Sequence, residues 1–131
     1  MIGLHTNVLI RFLVADAPAQ FARARRLILD EVDAGEPVFI GLLVLLETEW
    51  VLRSRYHLDK LALVATLSGL LDAQEVRLEE ESSVEAALFL WQESQAEFAD
   101  CLIGVRHQVL GCSATAPFDT RASKLPGILA A

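Results

Sequence analysis

Basic residues are scarce in this 131-residue chain: 11 lysines and arginines stand against 18 aspartates and glutamates, for a formal net charge of −7. A domain that holds nucleic acid by bulk electrostatics presents a basic face, so that mode of binding is disfavoured, whereas binding through metal ions is not. Cysteines are also few. Cys101 and Cys112 lack the C-x-x-C spacing of a zinc or dithiol redox site, and both read as free thiols buried in the core. Four prolines, seven glycines, no repeats and no Gly/Ser linkers exclude a fibrous or disordered chain. The longest apolar run, Val38 to Leu46, covers nine residues, far short of the roughly 20 that a membrane helix needs. No basic segment precedes an apolar stretch at the N-terminus, so no secretory signal is visible and a cytoplasmic location is expected. Neither a Gly-rich phosphate loop nor a serine–histidine or cysteine–histidine nucleophile pair occurs.

What is present is apolar and periodic. A hydrophobic fraction of 53% and a mean hydropathy of +0.41 describe a well-packed globule. At this length one domain, residues 1–131, suffices, and it buries about two-thirds of the surface of its unfolded chain. Ile2 to Leu4 reads as a short buried strand and Val8 to Val14 as the start of a helix. Pro18 to Asp33 has helical spacing with a basic face of Arg23, Arg25 and Arg26, and Gly35 stops it. Then follow EPVFIG as a strand, LLVLLETEWVLRSRY and LDKLALVATLSGLLDA as helices, and QEVRLE as a strand. SSVEAALFLWQES is a helix opened by a serine cap, and AEFADCLIGVRHQVLG one closed by Gly111. CSATAPF is a last strand ending at Asp119. Strand and helix alternate almost throughout, which predicts a three-layer α/β/α sandwich around a mainly parallel sheet.

Polar residues interrupt this pattern at informative places. His5, Thr6 and Asn7 stand between the first strand and its helix, at the kind of junction where α/β proteins put their chemistry. Most acids need no function; Glu79, Glu80, Glu81 and Glu85 form a strand end and helix start that the helix dipole favours. Glu49 has Arg53 four residues on, the order that favours an ion pair on a solvated face. Glu47 has no such partner. Its neighbours at three and four residues, Leu43, Val44, Trp50 and Val51, form an apolar face on which a carboxylate is costly unless something such as a metal satisfies it. Asp100 has Ala96, Ile103 and Gly104 on its helix face and Glu97 as its charged neighbour, a pairing of acids that invites a cation. Asp119 lies just past the last strand, in a turn or cap setting. In a parallel sheet the strand ends gather at one edge, so the His5 junction, Glu47, Asp100 and Asp119 can converge there. Such a rim suits Mg²⁺ or Mn²⁺ and hydrolysis of a phosphodiester.

Read in order, MIGLHTNVLIRFLV, LLETEWVLRSRY, EFADCLIG and FDTRASKLPG resemble the PIN-domain nucleases, and more closely the VapC-like toxins of bacterial toxin–antitoxin pairs. The likeness runs through nearly the whole chain. It implies a metal-dependent endoribonuclease with Mg²⁺ or Mn²⁺ held by Glu47, Asp100 and Asp119, with Thr6 and Asn7 ordering the site. It also implies a homodimer and a small VapB-like antitoxin. Two positions depart from the pattern. His5 stands where the family has aspartate, exchanging a negative oxygen ligand for a neutral nitrogen. Pro117 stands where the family has threonine or serine, removing a hydroxyl and a backbone donor. The expectation is therefore a VapC-like protein whose cleavage of RNA is weakened. The alternative is a catalytically inactive PIN-like module that pairs with an antitoxin or with itself.

Among the positive residues, Arg53 and Arg121 are candidate contacts for RNA phosphates. Trp50 and Trp91 have the spacing of packing or dimer contacts, and His57 and His107 that of surface or helix-end residues. A receiver-type signalling domain, also small, acidic and α/β, needs a phosphorylatable aspartate after a central strand. EPVFIG ends without one.

Overall fold

A computed structural model describes residues 1–116 and 124–129. The chain divides into two compact units, Met1–Glu79 and Glu80–Ala131. The first holds β1 (Ile2–Gly3), α1 (Thr6–Val14), α2 (Pro18–Asp33), β2 (Val38–Ile40), α3 (Leu42–Ser54), α4 (Lys60–Asp72) and β3 (Val76–Leu78). The second holds α5 (Glu81–Gln92) and α6 (Phe98–Val109).

The three strands form one parallel sheet in the order β1-β2-β3, with Val38 opposite both Ile2 and Val76. Val38 and Ile40 on the central strand are almost wholly buried, as expected where helical crossovers cover a parallel sheet. Helix α2 begins on Pro18, whose missing N–H falls where a helix has no internal acceptor for it. Phe12 of α1 stacks on Phe21 of α2 with ring centroids 6.0 Å apart. Leu9, Leu45, Leu52, Leu63 and Leu67 complete the best-buried set contributed by α1, α3 and α4.

Helix α3 follows β2 so closely that its N-cap is Gly41, which has no side chain to offer. Glu79, at the end of β3, supplies the cap instead: its carboxylate accepts the Leu42 N–H at 2.9 Å, while its own N–H donates to the Ile40 carbonyl at 3.0 Å. A Cβ at Gly41 would lie 3.4 Å from that carboxylate. The helix-dipole role expected of Glu79 thus belongs to α3, a helix distant in sequence.

In the second unit α5 and α6 pack together, with Trp91 tilted against Phe98 at 5.3 Å. Helix α5 opens at Glu80 in the left-handed region, φ 56°, rather than on a serine cap. Ser83 is buried inside the helix. Arg106 of α6 reaches the Glu80 carboxylate at 3.1 Å. Helix α6 ends before Gly111, whose φ of +95° suits the turn that closes a helix.

The expected last strand reduces, among the described residues, to one parallel bridge between Thr115 and Ile128. Thr115 is held further by His107, whose Nδ1 lies 2.8 Å from its hydroxyl. His107 is therefore a helix-end residue with a tertiary partner. Cys101 is buried as expected, but Cys112 is exposed, because it falls in the turn after α6 rather than in a strand.

Candidate functional site

The junction after β1 is built by its own polar residues. His5 is the N-cap of α1, in extended conformation, and its carbonyl accepts the N–H groups of Val8 and Leu9 at 3.1 and 3.2 Å. Its ring Nδ1 lies 3.3 Å from the Asn7 N–H and 3.0 Å from the Asn7 Oδ1. These two contacts need opposite tautomers: a bare Nδ1 accepts from the backbone as an aspartate cap does, whereas a protonated Nδ1 donates to the carboxamide oxygen. Thr6 turns inward and is buried, while His5 and Asn7 face outward. The three residues thus divide into one that anchors the junction and two that present it.

Helix α3 faces differently from the sequence reading. Leu45, Thr48, Glu49 and Leu52 are its buried residues, whereas Leu43 and Trp50 are 83% and 51% exposed. Glu47, which shares their stripe, is exposed and has no hydrogen bond or ion pair among the described residues. The burial cost that singled out Glu47 therefore falls on Glu49, which is only 3% exposed. Arg53 meets it with a two-pronged contact, Nε to Oε1 at 3.1 Å and a terminal nitrogen to Oε2 at 3.4 Å. The Glu49–Arg53 pair exists as expected, but its carboxylate is buried rather than solvated while the Arg53 side chain stays 38% exposed, and it engages the guanidinium that was a candidate RNA contact.

Asp100 is half-buried at the third position of α6, where its Oδ2 accepts the Glu97 N–H at 3.4 Å in a reciprocal capping box. The acid pair in the sequence is thus a helix start, in which each carboxylate serves the other's backbone. Pro117, Asp119 and Arg121 lie outside the described residues. Among the described residues no group of three histidines, cysteines, aspartates or glutamates is placed to hold a metal ion. The donor chemistry does suit a hard cation. Glu47 offers uncommitted carboxylate oxygens, and carboxylates are the ligands that Mg²⁺ and Mn²⁺ prefer.

Beside Asn7, the first unit carries a feature that the sequence reading did not isolate. A cleft of about 450 Å³ opens between α1 and α2, lined by Asn7, Val8, Arg11, Gln20, Arg23 and Leu27 among others. Arg23 was legible as part of a basic helix face, but periodicity alone does not show which of three arginines turns toward the junction.

The family model for the PIN domain matches residues 3–128. The chain belongs to the PIN domain family, whose members are generally metal-dependent nucleases. Its α/β fold with a three-stranded parallel sheet is the one that family predicts, and membership closes the receiver-domain alternative. A comparison with curated proteins finds no match. No helix among the described residues is long and apolar enough to cross a membrane.

Proposed function

We propose that this chain is a cytoplasmic VapC-like toxin of the metal-dependent endoribonuclease lineage, with RNA cleavage weakened at His5. The observation that carries the reading is the asymmetry of the junction and α3. Glu47 keeps an exposed, uncommitted carboxylate, while the position where the family pattern has aspartate holds an imidazole engaged with Asn7. In this reading Glu47, Asp100 and Asp119 hold Mg²⁺ or Mn²⁺, and His5 is a poor fourth ligand. A divalent ion bound there supplies an activated water and offsets charge on the leaving oxygen. Thr6 keeps the junction in register from the core side, and Asn7 orients the His5 ring. A VapB-like antitoxin and a second copy of the chain are the partners that the resemblance implies.

The test is cleavage of a structured-RNA panel in Mg²⁺ and in Mn²⁺ by the native chain, by His5→Asp and by His5→Asp/Asp100→Asn. Restoring a charged ligand is expected to raise the rate by about 100-fold, the scale of a few kcal/mol of charge stabilisation. The added Asp100→Asn change should abolish the gain. Silence of His5→Asp in both metals would remove the nuclease reading.

The engagement of His5 with Asn7 favours a second reading, a PIN-like module that binds and does not cut. Its signature is RNA or partner binding by the native chain without turnover, even after His5→Asp.

A further inference from the structure

The cleft between α1 and α2 carries a cationic donor set free of acids. Its lining includes two guanidiniums, Arg11 and Arg23, and two carboxamides, Asn7 and Gln20, but no carboxylate, in a chain of net charge −7. Arg11 is partly offset from outside by Asp16, at 3.3 Å. Arg23 has no ion-pair partner among the described residues, and no acid stands three or four residues from it on α2. The other two arginines of that helix are placed differently. Arg25 and Arg26 border a separate cleft that also contains Asp30 and Asp33, so carboxylates of their own helix accompany them.

Arg23 is therefore the α2 arginine whose cleft contains no carboxylate, and that cleft opens directly beside Asn7 at the candidate site. Val8 and Leu27 add an apolar surface. The volume of about 450 Å³ falls within the range of small-ligand pockets. Guanidiniums and carboxamides around an apolar surface match a nucleotide unit: phosphate on the cations, sugar and base edge on the remainder.

We propose that this cleft is a nucleotide subsite, in which Arg23, with Arg11, holds a phosphate of a single-stranded RNA passing the His5–Asn7 junction. The inference rests on the ribonuclease reading for its ligand, and on the cleft for its location.

The experiment is fluorescence anisotropy of a short labelled single-stranded RNA with the full chain. EDTA is present, so that binding is measured without cleavage, and salt is varied. Arg23→Gln should raise Kd about tenfold, the scale of a lost charge-assisted contact. It should also lower the slope of log K against log salt by about 0.7, the share of one phosphate on a single strand. Arg23→Lys should keep that slope, and Arg26→Gln should leave Kd within about twofold. Unchanged thermal midpoints show that the variants fold. Equal losses from Arg23→Gln and Arg26→Gln, or none from Arg23→Gln, overturn the subsite and leave the ribonuclease reading standing. Absence of metal-free RNA binding by the native chain overturns the subsite, while the ribonuclease reading is decided by the cleavage assay in Mg²⁺ and Mn²⁺. Competition by polyglutamate as effective as by unlabelled RNA marks an indiscriminate anion patch and also overturns the subsite.

Discussion

Replacing Arg53 by methionine tests the most consequential pairing inside α3. The change keeps an aliphatic stem and removes the guanidinium, leaving the Glu49 carboxylate, 4% exposed at its side chain, without its counter-charge. At 3.1 Å and an effective dielectric of about 20, the Coulomb attraction of the pair is about 5 kcal/mol. The Arg53 side chain is 38% exposed, so water and salt screen part of this, and desolvation of Glu49 cancels more. A net loss of about 2–3 kcal/mol is expected for Arg53→Met, because the orphaned carboxylate stays buried. Glu49→Gln should cost less, about 1–2 kcal/mol, since an amide oxygen still accepts from the guanidinium. The double variant Glu49→Leu/Arg53→Met should recover most of the Arg53→Met loss, because no charge then remains inside. Urea unfolding at low and high salt measures all three. A loss below about 0.5 kcal/mol for Arg53→Met, the size of an exposed i,i+4 pair, or one that disappears at high salt, would refute the assignment of Glu49 as a buried charge.

Two further stability predictions follow from polar groups in the same unit. The Thr48 hydroxyl is buried without a hydrogen-bond partner, so Thr48→Val should raise stability by about 1 kcal/mol in thermal or urea unfolding, whereas Thr66→Val should not, because Thr66 donates to the Ala62 carbonyl at 2.8 Å. Glu79→Ala should cost about 1 kcal/mol by removing the remote cap of α3, and Glu79→Gln should restore part of it; amide hydrogen exchange at Leu42 reports the loss locally.

How much of this was legible in the sequence differs from element to element. Helix α2 matches its reading end to end, because Pro18 and Gly35 are local start and stop signals that act on the backbone without help from distant residues. The parallel sheet was legible for a related reason: short apolar runs separated by helical spacing leave few other topologies. Helix α5 was placed but given the wrong cap, since a serine near a helix start is a frequent cap and nothing local tells that Ser83 is drawn into the core. Cys112 was misplaced when a strand was inferred where the described chain makes a single bridge.

The candidate site divides along the same line. His5, Thr6 and Asn7 could be found from sequence because a polar trio between two apolar runs is a local anomaly, and family membership follows from motifs spread along the chain. Glu47 and Glu49 could not be told apart that way. Apolar residues nearly encircle α3 from Leu42 to Leu46 and again from Trp50 to Leu52, so periodicity does not say which stripe faces inward. That choice belongs to the packing of α3 in the first unit, which buries Glu49 against Arg53 and leaves Glu47 in the open. The cap that Glu79 lends to α3 arises likewise from residues far apart in sequence, and the acid-free lining around Arg23 from the packing of two consecutive helices. Local chemistry writes where helices begin and which family the chain joins; long-range packing alone selects which charges are buried, capped or left to a ligand, because the desolvation of a charge is set by everything around it.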